Sequence, residues 1–157
     1  MGTDYSRRAG YQIHGSDGLT VSQKWGDGLS TFHGMHSRGF PNSFFFGPAQ
    51  SGFTATYTYS LDEQSIHLAY ILKKAKEQGA TRIEASEEAE EKWINTIVEK
   101  ARLTATFQEN CTPGYYNNEG KVNQTPQNNT YGGGPIEFFS LMKKWRTKDN
   151  LEGLELS

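Results

Sequence analysis

The chain has 157 residues, with 16 Lys and Arg against 18 Asp and Glu and a formal net charge of −2. That balance predicts no nucleic-acid partner, and no apolar run approaches the roughly 20 residues needed to span a membrane. The one cysteine, Cys111, has no disulfide partner, and the first residues carry Asp4, Arg7 and Arg8 with no apolar stretch, so the expected setting is the cytoplasm.

Tyr11 to His14 reads as a short strand closed by a Gly15 to Gly18 turn. The pair His33 and His36 would ligate zinc only if further ligands converged. His14 and His67 sit in other elements, and there is neither a cysteine pair nor a His-Glu-x-x-His pattern, so no metal site is predicted. Phe44-Phe45-Phe46, bounded by turn residues, has the pattern of a strand buried on both faces, as in a parallel sheet. Gly47-Pro48-Ala49-Gln50-Ser51-Gly52-Phe53-Thr54 then joins it to a helix start, whose outward amides suit an acceptor-rich ligand. By itself this strand-turn-helix unit reads as a structural crossover rather than a ligand site.

From Leu61 the apolar positions Leu61, Leu68, Ile71, Leu72 and Ala75 share one helix face, with Gly79 as the stop. Thr81 to Glu84 reads as extended, and Ser86 as the N-cap of a helix with the apolar stripe Trp93, Ile94, Ile97, Val98 and Ala101. The acidic run Glu87 to Glu91 reads as its solvated face. Residues 104 to 133 are polar and too poor in aliphatics to nucleate a core, which predicts a long loop. Gly132-Gly133-Gly134-Pro135 opens a last helix, whose buried side is expected to be Ile136, Phe138, Phe139, Leu141, Met142 and Trp145. The glycine triplet lacks the lysine and hydroxyl residue of a P-loop, and no Gly-x-Ser-x-Gly elbow is present for a serine hydrolase. The Asn-x-Thr matches at Asn110, Asn123 and Asn128 are read as chance.

Five stretches together carry a resemblance to a known family: Gly15 to Thr20, Trp25 to His36, Gly39 to Thr54, Cys111 to Gly120 and Tyr131 to Phe139. In that order they resemble the C-terminal portion of the Baeyer-Villiger monooxygenases, in the branch acting on bulky or cyclic ketones, and the match covers nearly the whole chain. Such enzymes carry two Gly-x-Gly-x-x-Gly fingerprints and a motif ending His-x-x-x-Trp upstream of this region, and this chain has none of them. Met1 therefore matches an internal position, and the chain is read as a fragment lacking the N-terminal nucleotide-binding portion.

The resemblance implies an α/β fold: the end of a Rossmann-like flavin-binding domain, incomplete as it stands, followed by helices and a long loop. Its parts would be residues 1–60 as terminal strands and turn, 61–103 as a helical segment, 104–133 as the cofactor and substrate loop, and 134–157 as the last helix and tail. It implies FAD and NADPH as cofactors, and a ketone and O2 as substrates, giving an ester or lactone. The isolated chain would be inactive. Cofactor contacts are expected at Gly47, Pro48, Tyr57, Thr58, Asn117 and Lys121, and substrate-pocket contacts at Gln50, Phe53, Thr54, Thr112 and Tyr115. Asn110-Cys111 stands where shorter relatives have a tryptophan, so the pocket or clamp there must differ. The other open reading is a non-catalytic binding module that keeps part of the flavoprotein fold.

Overall fold

A computed structural model describes residues 10–101 and 125–157. In chain order the elements are a short helix α1 (Val21–Lys24), the long helix α2 (Tyr57–Glu77), strand β1 (Ile83–Ala85), helix α3 (Glu87–Ala101), a 3-10 turn (Pro126–Asn128), helix α4 (Gly134–Thr147) and strand β2 (Leu154–Leu156). Among the described residues the fold is helical with little sheet. Its strands form one antiparallel pair, with Ile83 opposite Leu156 and Ala85 opposite Leu154.

Local chemistry sets the helix limits. Thr20 and Gln23 form a reciprocal capping box at α1, and Ser86 Oγ accepts from the Ala89 amide to start α3. Gly79, at φ 72°, turns the chain out of α2, and Pro135 sits in the first turn of α4. α2 begins at Tyr57, one turn earlier than the periodicity from Leu61 predicts.

The larger core gathers Ile71 and Ala75 of α2, Trp93 and Ile97 of α3 and Phe138, Met142 and Trp145 of α4 around Phe32 and Tyr131. Trp93 and Tyr131 stack at 5.7 Å and 9°. A second cluster joins Val21, Trp25, Leu29 and Phe40.

Several expectations are corrected. Phe44 to Phe46 forms no strand and pairs with none among the described residues. Phe44 packs on the large core, Phe45 lies 4.8 Å from Trp25, and Phe46 is 44% exposed. The reason is that its local backbone partner is a loop, with the Phe45 amide donating to the Met35 carbonyl at 2.8 Å. Tyr11 to His14 forms only an isolated bridge, between His14 and Thr20, closed by the expected turn. Leu72 and Ile136 are 43% and 85% exposed, because each lies just outside the stripe its helix buries. Glu90 is not solvated: its carboxylate accepts from Lys24 Nζ at 2.7 Å and from the Arg38 amide at 2.8 Å.

Candidate functional site

The Gly47 to Thr54 segment is an irregular turn, tied down from two sides by buried glutamines. From α2, Gln64 Nε2 donates to the Gly47 carbonyl at 2.8 Å and to Ser51 Oγ at 3.0 Å, and Ser51 Oγ donates to the Gly47 carbonyl at 2.6 Å. From within the turn, Gln50 points inward. Its Nε2 donates to the carbonyls of Leu29 and Gln127 at 2.7 and 2.8 Å, and its Oε1 accepts from Thr31 Oγ1 at 2.5 Å. Glycines let the turn pack this closely. A Cβ on Gly52 would meet Phe138 Cδ1 at 2.7 Å, and one on Gly34 would meet the Ala49 carbonyl oxygen at 2.9 Å.

Beyond the turn, Thr54 Oγ1 donates to the Thr56 carbonyl at 2.6 Å, and the Thr54 amide donates to the buried Ser60 hydroxyl at 3.3 Å. α2 then opens without a side-chain cap on Thr56 and without an acidic residue in its first turn. The start of a 21-residue helix thus offers amides at an exposed end. Phe53 and Tyr57 lie 6.0 Å apart beside it. Among the predicted site residues, Gly47, Pro48, Phe53, Thr54, Tyr57 and Thr58 therefore line one continuous stretch, all half-buried or exposed. Gln50 is fully buried, with every polar atom of its side chain bonded inside the protein, and it presents no surface to a ligand. Thr112, Tyr115, Asn117 and Lys121 lie outside the described residues.

Sequence reasoning missed a buried histidine chain. Arg146 Nη1 lies 3.4 Å from His67 Nδ1, and His67 Nε2 lies 3.4 Å from His33 Nδ1. Because a guanidinium only donates, His67 Nδ1 is the acceptor, so His67 Nε2 carries the proton and donates to His33. His36, three residues on, has a buried Nε2 without a hydrogen-bond partner, the one such side-chain atom among the described residues. Burial holds the His36 pKa at about 4, and burial with the Arg146 and His36 charges holds that of His67 at about 3. Burial, with the His67 and His36 charges, lowers that of His33 well below its ordinary value. All three are neutral at pH 7. No group of three or more His, Cys, Asp or Glu among the described residues is placed to hold a metal ion, and no described helix is long and apolar enough to cross a membrane.

No protein-family model matches the chain. It is 45% identical over 157 residues to neopentalenolactone D synthase of Streptomyces avermitilis, covering 99% of this chain and 26% of that protein. It is 35% identical over 156 residues to a Baeyer-Villiger monooxygenase of Stachybotrys chlorohalonatus, covering 98% of this chain and 25% of that one. The chain thus spans about a quarter of the length of the curated relatives it matches. Its fold superposes with a TM-score of 0.89 on the polycyclic ketone monooxygenase of Thermothelomyces thermophila, at 30% identity over 98% of this chain and 25% of that one. The cyclohexanone monooxygenase of Rhodococcus sp. Phi1 bound to NADP+ shares the fold at a TM-score of 0.79 and 23% identity, over 99% of this chain and 28% of that one. Along nearly its whole length, this chain is the counterpart of the C-terminal part of a Baeyer-Villiger monooxygenase.

Proposed function

We propose that the chain supplies the ketone- and flavin-facing C-terminal part of a monooxygenase that uses FAD, NADPH and O2 to convert a ketone into an ester or lactone. The observation that carries the reading is the uncapped start of α2 directly after the pinned turn, with Phe53 and Thr54 beside it. Amides left without side-chain acceptors suit a ligand edge rich in carbonyl oxygen and ring nitrogen, and the flavin ring system has such an edge. The donor set therefore fits FAD. The cofactor, when bound and reduced by NADPH, supplies the activation of oxygen for insertion beside the ketone carbonyl.

In this reading the residues of the chain hold and shape. The Tyr57 and Thr58 amides would hold the flavin edge, and Gly47 and Pro48 would set the approach of the backbone. Phe53 and Thr54 form part of the ketone wall, with the Phe53 ring excluding water from the reacting face. The contacts to NADPH at Asn117 and Lys121, and to the ketone at Thr112 and Tyr115, rest on the sequence resemblance. So does the division into a flavin-facing part (1–60), a helical segment (61–103), a cofactor and substrate segment (104–133) and a terminal helix with tail (134–157). A Rossmann-like sheet contributed by another part of the protein would give the Phe44 to Phe46 segment its neighbours and cover Phe46. A cytoplasmic setting belongs to the same reading. The non-catalytic alternative has no comparable support, since the relatives matched bear the names of synthases and monooxygenases.

The test is turnover by the complete protein containing this chain, loaded with FAD and given NADPH, O2 and a cyclic or polycyclic ketone. Expected is an NADPH-dependent product one oxygen atom heavier than the ketone. Tightly held flavin with no such product from a ketone panel would refute the reading.

A further inference from the structure

We propose that Gln50 is a positioning residue of this reaction: a buried amide that fixes where the ketone-facing turn stands, without touching the ketone or the flavin. The inference rests on the reading of that turn given above. Gln50 is 0% exposed, at the centre of a set of bonds that reach three segments remote in sequence. Its side chain joins Thr31, Leu29 and Gln127. Its backbone amide donates to the Asn129 carbonyl at 2.8 Å, and its own carbonyl accepts from the Trp93 indole at 3.1 Å.

These bonds hold together three stretches remote in sequence. The Leu29 to Thr31 loop, the turn itself and the Gln127 to Asn129 stretch are otherwise joined by few links, such as Leu29 N to Asn128 Oδ1 at 2.7 Å and Gln127 Nε2 to the Leu29 carbonyl at 3.1 Å. The Tyr131 amide continues the seam by donating to the Ser51 carbonyl at 3.0 Å. Gln64 anchors Gly47 and Ser51, on either side of Gln50, from α2. With these residues held by buried amides and the Thr54 amide on the Ser60 hydroxyl, Phe53 and Thr54 have little freedom to shift, and loosening the Gln50 anchor moves them.

The backbone conformation argues that the side chain is there for its bonds. Gln50 sits at φ 54°, in the left-handed region where glycine and asparagine are favoured and glutamine is not. Glycine would relieve that strain but would leave Thr31 Oγ1 and the Leu29 and Gln127 carbonyls without these partners. Asparagine tolerates the conformation and keeps the amide, but it is one methylene too short to reach both carbonyls.

Gln50→Asn therefore separates reach from conformation. In the complete protein loaded with FAD, the expected result is an unchanged flavin spectrum and content, a KM for a cyclic ketone raised by roughly tenfold, and a kcat within about twofold. Amide hydrogen exchange in residues 49–54 and 125–131 is expected to quicken by roughly tenfold, with the Trp93 to Ala101 stretch of α3 unchanged. Wild-type KM, or wild-type exchange in the turn, would overturn the proposal. Should Gln50→Asn lose its flavin, Thr31→Val decides, since it removes one bond from the same amide. A raised KM with retained flavin upholds the proposal, and an unchanged KM overturns it. If the wild-type protein oxidises no ketone, the functional reading fails by that result alone, and the exchange data still judge whether Gln50 anchors the turn.

Discussion

Acid weakens this fold at a pH where its carboxylates are still ionised, and His36 is the residue that isolates the effect. In the unfolded chain its imidazole titrates near the ordinary 6.5, whereas burial holds it at about 4 in the fold. Between those values the unfolded state binds a proton that the native state excludes. Stability is therefore full above pH 6.5, falls as the pH drops below it, and reaches its full loss near pH 4. At pH 5 the contribution of His36 alone is about 2 kcal/mol. His33 and His67 act in the same direction, with Arg146 as the neighbouring cation. Glu84, where Arg82 and the Gly39 amide outweigh burial, and Glu137, held by Lys100 and Tyr131, have lowered pKa values, so their contribution is present above the ordinary 4.5 and is lost as the pH falls through it, below the window in which the histidines act. The perturbation is His36→Leu, which removes both the titration and the unpartnered Nε2. The assay is thermal unfolding of the purified chain at pH 7, 6 and 5. At pH 7 the variant should match or exceed wild type, since an unsatisfied buried atom is gone. At pH 5 its advantage should have grown by about 2 kcal/mol, or roughly 4–8 °C in Tm for a domain of this size. Parallel loss of Tm in the two proteins from pH 7 to 5 would refute the reasoning.

Glu90→Gln keeps an acceptor for the Arg38 amide but leaves the Lys24 ammonium, 2.7 Å away, without its counter-ion. Denaturant unfolding should show a loss of about 3 kcal/mol. Gly52→Ala drives a methyl into the Phe138 ring and should cost about 2 kcal/mol by the same assay, while displacing Phe53. In the complete protein its readout is a raised KM for the ketone. Ile136→Ser should change the stability of the purified chain by less than about 0.5 kcal/mol, since that side chain is 85% exposed, whereas the helix pattern in the sequence assigns it to the buried side.

What the sequence conveys about this molecule is local. Ser86, Gly79 and Pro135 mark helix limits because caps and breakers act within a turn of themselves, and the Trp93, Ile97 and Ala101 stripe is buried because a 3.6-residue period is a property of one helix. The exposed part of the candidate site is legible in the same way, as a turn with its following helix start. What the sequence hides is made by partners far apart along the chain. Glu90 looks like one more acid in a charged run, and only the return of the Lys24 and Arg38 segment converts it into a buried anchor. The final Leu154 to Leu156 stretch carries no mark of its pairing with Ile83 to Ala85, and three-residue strands are too short for a period to appear. Gln50 is the sharpest case. A polar residue in a turn just before a helix start reads as a pocket residue, yet its neighbours at positions 29, 31, 93, 127 and 129 draw it inward. Since a buried amide must find partners for its donors and its acceptor, its inward orientation and the placement of the turn are set by the same bonds. If the chain serves a ketone-oxidising enzyme as proposed, a change in ketone preference is then as accessible through Leu29 to Thr31 or Gln127 to Asn129, which touch no ligand in this reading, as through the Phe53 and Thr54 side chains themselves.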